Sequence, residues 1–192
     1  MTEQEIIRYL QQGNEAAFKE LVEKFKAQVF RTCLGLVHNH DDAEDITQEV
    51  FIEVFRSVVK FRSDSKLSTW LYRIAVNRSL NFIRDNKKRR RFKSFEDAVK
   101  EKNEELFNLT VNPDTPEQEI ENAQRATLLH EAIDALPEAQ RTAFTLSKYE
   151  DLSYKEIANV MNLSLSSVES LIHRAKKNLQ KKLYACYKKK CI

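Results

Sequence analysis

Two glycines, three prolines and three cysteines are all that 192 residues contain of the types that break, kink or staple a chain. That scarcity, with hardly any β-rich run, points to an all-helical protein. It also removes the glycine-rich loops that cradle phosphates in nucleotide-using enzymes. No apolar run approaches the roughly 20 residues that span a bilayer, so membrane insertion is not expected. The opening MTEQEIIRYLQQ is acidic and lacks the basic, apolar and small-residue sections of a signal peptide, so a cytoplasmic protein is expected. Cys33, Cys186 and Cys191 cannot all pair, and none sits in a CxxC. They read as one buried thiol and two tail thiols, without the His or Cys neighbours a zinc site needs.

Charge is plentiful and segregated. The formal net charge is only +3, yet residues 61–93 alone carry eleven Lys and Arg against two Asp, a net +9. Residues 94–124 carry −7 and residues 166–192 carry +7. Two basic blocks around an acidic one suggest two nucleic-acid-binding modules and a connecting segment that is not one.

In chain order, residues 3–12 and 14–37 read as a helical hairpin broken at Gly13-Asn14. HNHDD (38–42) offers four potential metal ligands. Consecutive loop residues do not easily converge on one ion, and no partner stands at helical spacing, so no metal is expected. Asp41 is expected to cap the next helix, with Glu44 completing a capping box. In that helix Ile46, Val50, Phe51, Val54, Phe55, Val58 and Val59 form an apolar stripe expected to be core. Its other face, with Asp45, Gln48, Glu49, Glu53 and Arg56, suits solvent or a partner equally.

A polar loop, FRSDSK, leads into the basic helix, with Ser65 or Ser68 as expected N-cap. Leu67, Leu71, Ile74, Ala75 and Phe82 are expected to face inward. Trp70, Arg73, Asn77, Asn81 and Arg84 fall at i, i+3, i+7, i+11 and i+14, on one face. Cations neutralise phosphates, rings stack on bases and amides bond base edges, so this stripe suits nucleic acid with exposed bases. After the acidic segment, Thr115-Pro116 predicts a helix start, with Leu128, Leu129, Ala132, Ile133 and Leu136 as its apolar face. A further helix begins after Pro137. Ser153-Tyr-Lys-Glu156 is a capping box, Asn162-Leu163-Ser164 a turn, and a long basic helix follows. A short helix, a tight turn and a basic helix is a helix-turn-helix, whose second helix enters the major groove. Ser166, Ser167, Glu169, Ser170, His173, Arg174 and Lys177 occupy its first three turns.

The run DAEDITQEVFIEVFRSVVKFRSDSKLSTWLYRIAVNRSLNFIR closely resembles the second conserved region of bacterial sigma factors. ALPEAQRTAFTLSKYEDLSYKEIANVMNLSLSSVESLIHRAKKNLQKKL resembles their fourth, and the short spacer is similar to the extracytoplasmic-function (ECF) group. The resemblance implies a non-enzyme that binds core RNA polymerase, directs it to promoter DNA and helps open it, with an anti-sigma factor as a further partner. It implies that Asp45, Gln48, Glu49 and Phe55 dock on the polymerase. It implies that loop 61–68 (Arg62, Ser63, Asp64, Ser65, Lys66) and Asn77 hold a base flipped from the −10 element. Trp70 would separate the strands, with Arg73, Asn77, Asn81 and Arg84 along the melted region. Ser166, Ser167, Glu169, Ser170, His173, Arg174 and Lys177 would read the −35 element. Leu71 stands where primary sigma factors carry a second tryptophan, which implies weaker melting and stricter promoter choice. Many relatives have Arg where Glu169 and Leu171 stand, which leaves the −35 sequence open.

The expectation is therefore an all-α chain of two small helical domains joined by a flexible linker, the C-terminal one a helix-turn-helix. Residues 1–93 form the first domain, 94–114 the acidic linker, 115–184 the second and 185–192 a basic tail. No cofactor, metal or small-molecule substrate is expected. The competing reading is a stand-alone helix-turn-helix regulator, which leaves the Trp70–Asn77 stripe without a purpose.

Overall fold

The computed structural model describes residues 1–62, 64–93 and 116–188, with side chains over 1–62, 64–89 and 124–185. Among the described residues there are eight α-helices, one 3₁₀ turn and no strand, so the all-helical expectation holds. The expected acidic linker, the Thr115 cap, Ser63, Cys191 and the Cys186 side chain lie outside what is described.

The first region is a bundle of α1 (Glu3–Gln11), α2 (Glu15–Val37), α3 (His40–Ser57) and α4 (Leu67–Lys93). A Thr2–Glu5 capping box starts α1. Gly13, at φ +75, then turns the chain where a side chain would be strained, and Asn14 caps α2 by accepting from the Ala17 amide at 3.1 Å. One core joins Ile6, Leu10, Leu21, Phe25, Val29, Ile46, Val50, Val54, Leu67 and Leu71. At about 1.5–3 kcal/mol per fully buried aliphatic side chain, this cluster is what fixes the angle between α3 and α4. Cys33 is buried in it, and burial raises its thiol to about 11, so it is inert.

Two local expectations are corrected here. The cap of α3 is Asn39, not Asp41: its side chain accepts from the Asp42 amide at 2.9 Å while His38 turns left-handed at φ 57. Asp41 and Asp42 lie in the first turn, where they oppose the positive helix end. The helix α4 begins at Leu67 with the Trp70 amide donating to the Lys66 carbonyl, so Lys66, rather than Ser65 or Ser68, precedes the first helical residue.

The second region comprises α5 (Pro116–Asp134), α6 (Glu138–Tyr149), α7 (Tyr154–Met161) and α8 (Leu165–Lys188). Pro116 does open α5, and the Ser153–Glu156 capping box is present at α7. Asn162 takes the left-handed conformation that ends α7, and Ser164 accepts from the Ser167 amide at 3.2 Å to start α8. The turn between α7 and α8 is thus the expected helix-turn-helix. Ala132, Ile133 and Leu136 pack on Ala175 and Leu179 of α8.

The two regions meet. Leu36, Tyr72, Val76 and Leu80 from the first share an apolar cluster with Leu146, Ile157, Val160, Val168 and Ile172 from the second. The second of the two glycines explains the closeness. A Cβ on Gly35 would stand 2.9 Å from Thr145 Cγ2, and the Thr145 hydroxyl donates to the Gly35 carbonyl at 3.3 Å. Glycine inside a helix costs about 1 kcal/mol relative to alanine; here it lets α6 rest on the backbone of α2.

Candidate nucleic-acid interface

On α8, Ser166, Glu169, Ser170, His173, Arg174 and Lys177 are exposed, while Val168, Ile172, Ala175 and Leu179 are buried behind them. The apolar residues recur every three to four positions, so the polar ones share the outward face. Ser167 differs: it is half-buried and bonded to Ser164, so its side chain belongs to the turn. Leu163 and Leu165 stand exposed beside it.

On α4 the expected stripe is brought together but is not free. Arg73 donates to the Asn159 carbonyl of α7 through Nε at 3.2 Å and Nη2 at 2.6 Å. Arg84 pairs with Glu138 at the start of α6, at 3.2 Å. Asn77 lines the groove of about 470 Å³ between α4, α6 and α7, opposite Glu138, Val160 and Asn162. Asn81 is exposed. None of these partners was expected from sequence, because a backbone carbonyl such as that of Asn159 carries no residue signature.

Trp70 stands at the other end of the stripe, half-buried and stacked on Phe61 with ring centroids 4.7 Å apart. Ser57, Lys60, Phe61, Arg62, Asp64, Ser65, Trp70 and Arg73 line a cavity of about 270 Å³ there. Gln11 of α1, which sequence reasoning missed, holds its rim by donating to the carbonyls of Val58 at 3.3 Å and Phe61 at 3.0 Å. Arg62, Asp64 and Lys66 are exposed around it.

On α3, Asp45, Gln48 and Glu49 are exposed, and so is Phe55 at 47%, with Ile52 at 49% and, in the 3₁₀ turn that follows, Val59 at 69%. Phe55 and Val59 are therefore not core, against expectation; the stripe drawn from sequence was wider than the face α2 and α4 cover. Arg78 of α4 pairs with Glu53 and lies 3.6 Å from Glu49, which fixes this outer surface to the basic helix.

The HNHDD segment has a structural use instead. His38 stacks flat on His130 of α5, centroids 4.3 Å apart, and its Nδ1 lies 3.3 Å from Asp134 without hydrogen-bond alignment. His40 meets the edge of Phe30. Among the described residues, no group of His, Cys, Asp and Glu is arranged to hold a metal. None of the described helices is long and apolar enough to cross a membrane.

Comparison with known proteins agrees along nearly the whole chain. Residues 21–89 match Sigma-70 region 2 and residues 126–179 match Sigma-70, region 4. The RNA polymerase sigma-H factor of Pseudomonas aeruginosa is 35% identical, over 94% of this chain and 93% of its own length. The ECF RNA polymerase sigma-E factor of Haemophilus influenzae is 34% identical over 95% and 96%, and SigW of Bacillus subtilis 30% over 92% and 94%. Among solved structures, CnrH in complex with the cytosolic domain of CnrY has the same fold at TM-score 0.66 and 21% identity, covering 95% and 97%. So does the sigma factor RpoE in complex with the anti-sigma factor NepR from Bartonella quintana, at 0.61 and 22%, covering 87% and 96%. With both regions in order and relatives matched over nearly their full length, the chain belongs to the sigma-70 family of RNA polymerase sigma factors, within its ECF group.

Proposed function

We propose that this chain, as an ECF sigma factor, divides its work among three surfaces. Residues 1–93 act as the polymerase-binding and −10 unit, and 115–184 as the −35 unit, with 94–114 between them and 185–192 as a basic tail. Asp45, Gln48, Glu49 and Phe55 of α3 meet core polymerase; in support, all four are exposed and Ile52 and Val59 extend the apolar patch beside them. An exposed aromatic surrounded by polar groups is the usual anatomy of a binding hot spot.

The observation that carries the reading is the cavity under Trp70. At about 270 Å³ it is smaller than the roughly 300–1,000 Å³ of drug-sized ligand sites. It combines two aromatic rings with Arg62, Asp64, Ser65 and Arg73, which is the chemistry for stacking and edge-bonding one base. Flipping a base costs a few kcal/mol, and stacking in such a pocket offsets it. Arg73, Asn77, Asn81 and Arg84 then follow the opened strand. On α8, Ser166, Glu169, Ser170, His173, Arg174 and Lys177 read the −35 major groove; Glu169 suits a cytosine amino group and Arg174 or Lys177 a phosphate or guanine. Ser167 serves the turn and contributes at most a backbone contact.

The chain thus directs polymerase by binding, with no bond-making step of its own. We extend to it an anti-sigma partner of the kind captured with its solved relatives. Run-off transcription with purified core polymerase tests the reading: transcripts from defined promoters are expected only when the chain is added. Tight duplex binding with no effect on polymerase would favour the stand-alone regulator instead.

A further inference from the structure

We infer that Gln11 of α1 is a positioning residue for base capture: it holds Phe61 against Trp70 in the arrangement that receives a flipped base. This rests on the assignment of the cavity under Trp70 to one base. A glutamine amide has two N–H donors, and here both meet one stretch of backbone. Nε2 donates to the Val58 carbonyl at 3.3 Å and to the Phe61 carbonyl at 3.0 Å. Val58–Lys60 is the 3₁₀ turn that follows α3, and the Phe61 amide also donates to the Val58 carbonyl, at 3.0 Å. Carbonyls at the end of a helical run lack partners within it, so Gln11 completes this end from outside. Phe61 then leaves the turn in an extended conformation, at φ −71 and ψ 117, and its ring lies at 30° to that of Trp70.

Where this support acts matters more than its strength. Phe61, Arg62, Asp64 and Ser65 line the cavity from a stretch that is not helical. Among the described residues, the backbone hydrogen bonds of that stretch lie at its two ends. At one end the Trp70 amide donates to the Lys66 carbonyl, so α4 itself fixes it. The other end is held by Gln11, 50 positions earlier in the chain. The arm that carries Gln11 is firm, with Ile6, Ile7 and Leu10 buried and a capping box at its start. Residues matched to Sigma-70 region 2 begin at 21, so this arm lies ahead of them. A loop fixed before the base arrives has less freedom to lose on binding, so the same contacts grip harder. The buried apolar face of α1 already ties it to the bundle. An amide aimed at the carbonyl of the residue that stacks on Trp70 does more than that.

The experiment uses the full chain, alone and with core polymerase. Trp70 is the only tryptophan, so its emission, excited beyond the absorption of tyrosine, reads the stack directly. Gln11→Met keeps length and helix propensity but cannot donate. Gln11→Glu sets a carboxylate against two carbonyls, and Gln11→Lys restores a donor. Gln12→Met, at the same exposed helix end, is the control, and circular dichroism with a thermal melt verifies the fold. In the Met and Glu variants of Gln11, Trp70 emission should shift to the red and acrylamide should quench it more, the Glu variant most. Gln11→Lys and Gln12→Met should stay near wild type. On a promoter active in run-off transcription, holoenzyme with Gln11→Met should open DNA about fivefold more slowly while initial duplex binding holds, the size expected of one or two modest hydrogen bonds. Unchanged emission in both the Met and Glu variants would overturn the positioning, and so would equal changes in the Met and Lys variants. A red shift with opening as fast as wild type would overturn the role in base capture. If wild-type holoenzyme opens no promoter, the sigma-factor reading fails and base capture with it, while the emission order still decides whether Gln11 holds the stack.

Discussion

Two faces of this chain carry the residues of a nucleic-acid contact, and their surroundings are opposite. On α8 the polar side chains at Ser166, Glu169, Ser170, His173, Arg174 and Lys177 point into solvent from a helix whose other side is core. On α4 the stripe from Trp70 to Arg84 is met at one end by Phe61 and further along by Asn159 and Glu138. The difference follows from chemistry. A surface that reads paired DNA needs only polar groups, and water serves them until DNA arrives. A surface that grips opened DNA needs aromatic and apolar area, which gains free energy by burial and so finds a partner within its own chain. Melting surfaces are adhesive in a way that groove-reading surfaces are not.

The largest effect should fall on the adhesive face. Trp70→Ala removes a base-stacking ring worth about 1–3 kcal/mol, roughly five- to 150-fold in open complexes. Polymerase binding should hold, because α3 does not depend on Trp70. Permanganate reactivity of the promoter bubble measures this, and Trp70→Phe, which keeps the stack on Phe61, should recover most of it. Equal reactivity in wild type and Trp70→Ala would erase the distinction between the two faces.

Next in size is the face neither DNA surface uses. Phe55→Ala should weaken binding to core polymerase by about 2 kcal/mol, roughly 30-fold, if Phe55 is a hot spot. It should leave the melting temperature nearly unchanged, since Phe55 is half exposed and meets the edge of Phe18 rather than the buried core. Titration of labelled variant with core polymerase, beside a thermal melt, separates the two. A large loss of stability would return Phe55 to the core where its helical spacing had put it.

That spacing shows where sequence reading succeeds and stops. Local signals were legible: Asn14, Pro116 and the Ser153–Glu156 box stand where helices start, because capping is decided within four residues. At 39–42 three of the four residues (Asn39, Asp41 and Asp42) suited a cap, and which one acts depended on the left-handed turn at His38, which no spacing reveals. The candidate DNA residues were legible as a stripe on each helix. Their environment was not, since Arg73 finds a backbone carbonyl 86 positions away and Gly35 matters only because Thr145 lands on it. A glycine in the last turn of a helix, in a chain with only two, was the available hint of that contact.

The open face should respond more modestly and more simply. Arg174→Ala should weaken duplex binding several-fold and lower the slope of log affinity against log salt by about one unit if Arg174 meets a phosphate. Because no described residue of the first region covers the outer face of α8, Gly35→Leu should leave this slope as it is. A change in slope would mean that the packing of α6 on α2 shapes the outer face of α8 as well.

The smallest expected effect concerns pH, and its sign follows from two groups at the seam. Burial, then the neighbouring His38, lowers His130 from an ordinary 6.5 to about 4, with Asp134 opposing. Above pH 6.5 His130 is neutral whether the two regions are packed together (closed) or apart (open). Between 6.5 and 4 only the open state takes the proton, so closure weakens as pH falls through that window. Glu150 acts the other way. Burial raises its carboxyl above the ordinary 4.5, offset in part by Arg31 and Tyr72, while Asp151 adds to the rise. The closed state therefore takes that proton first, and closure strengthens as pH falls toward 4.5. Asp134 faces His38 and Arg141, and although burial pushes it up, those partners outweigh burial and keep it below its ordinary value, so it stays charged through the window. Scattering of the full chain from pH 7.5 to 5 should then show two opposite slopes once the groups are separated. Glu150→Gln leaves the histidine and should expand on acidification, and His130→Asn leaves the glutamate and should contract. If both variants respond alike, the seam at α2, α4 and α6 is not where the two DNA faces part company.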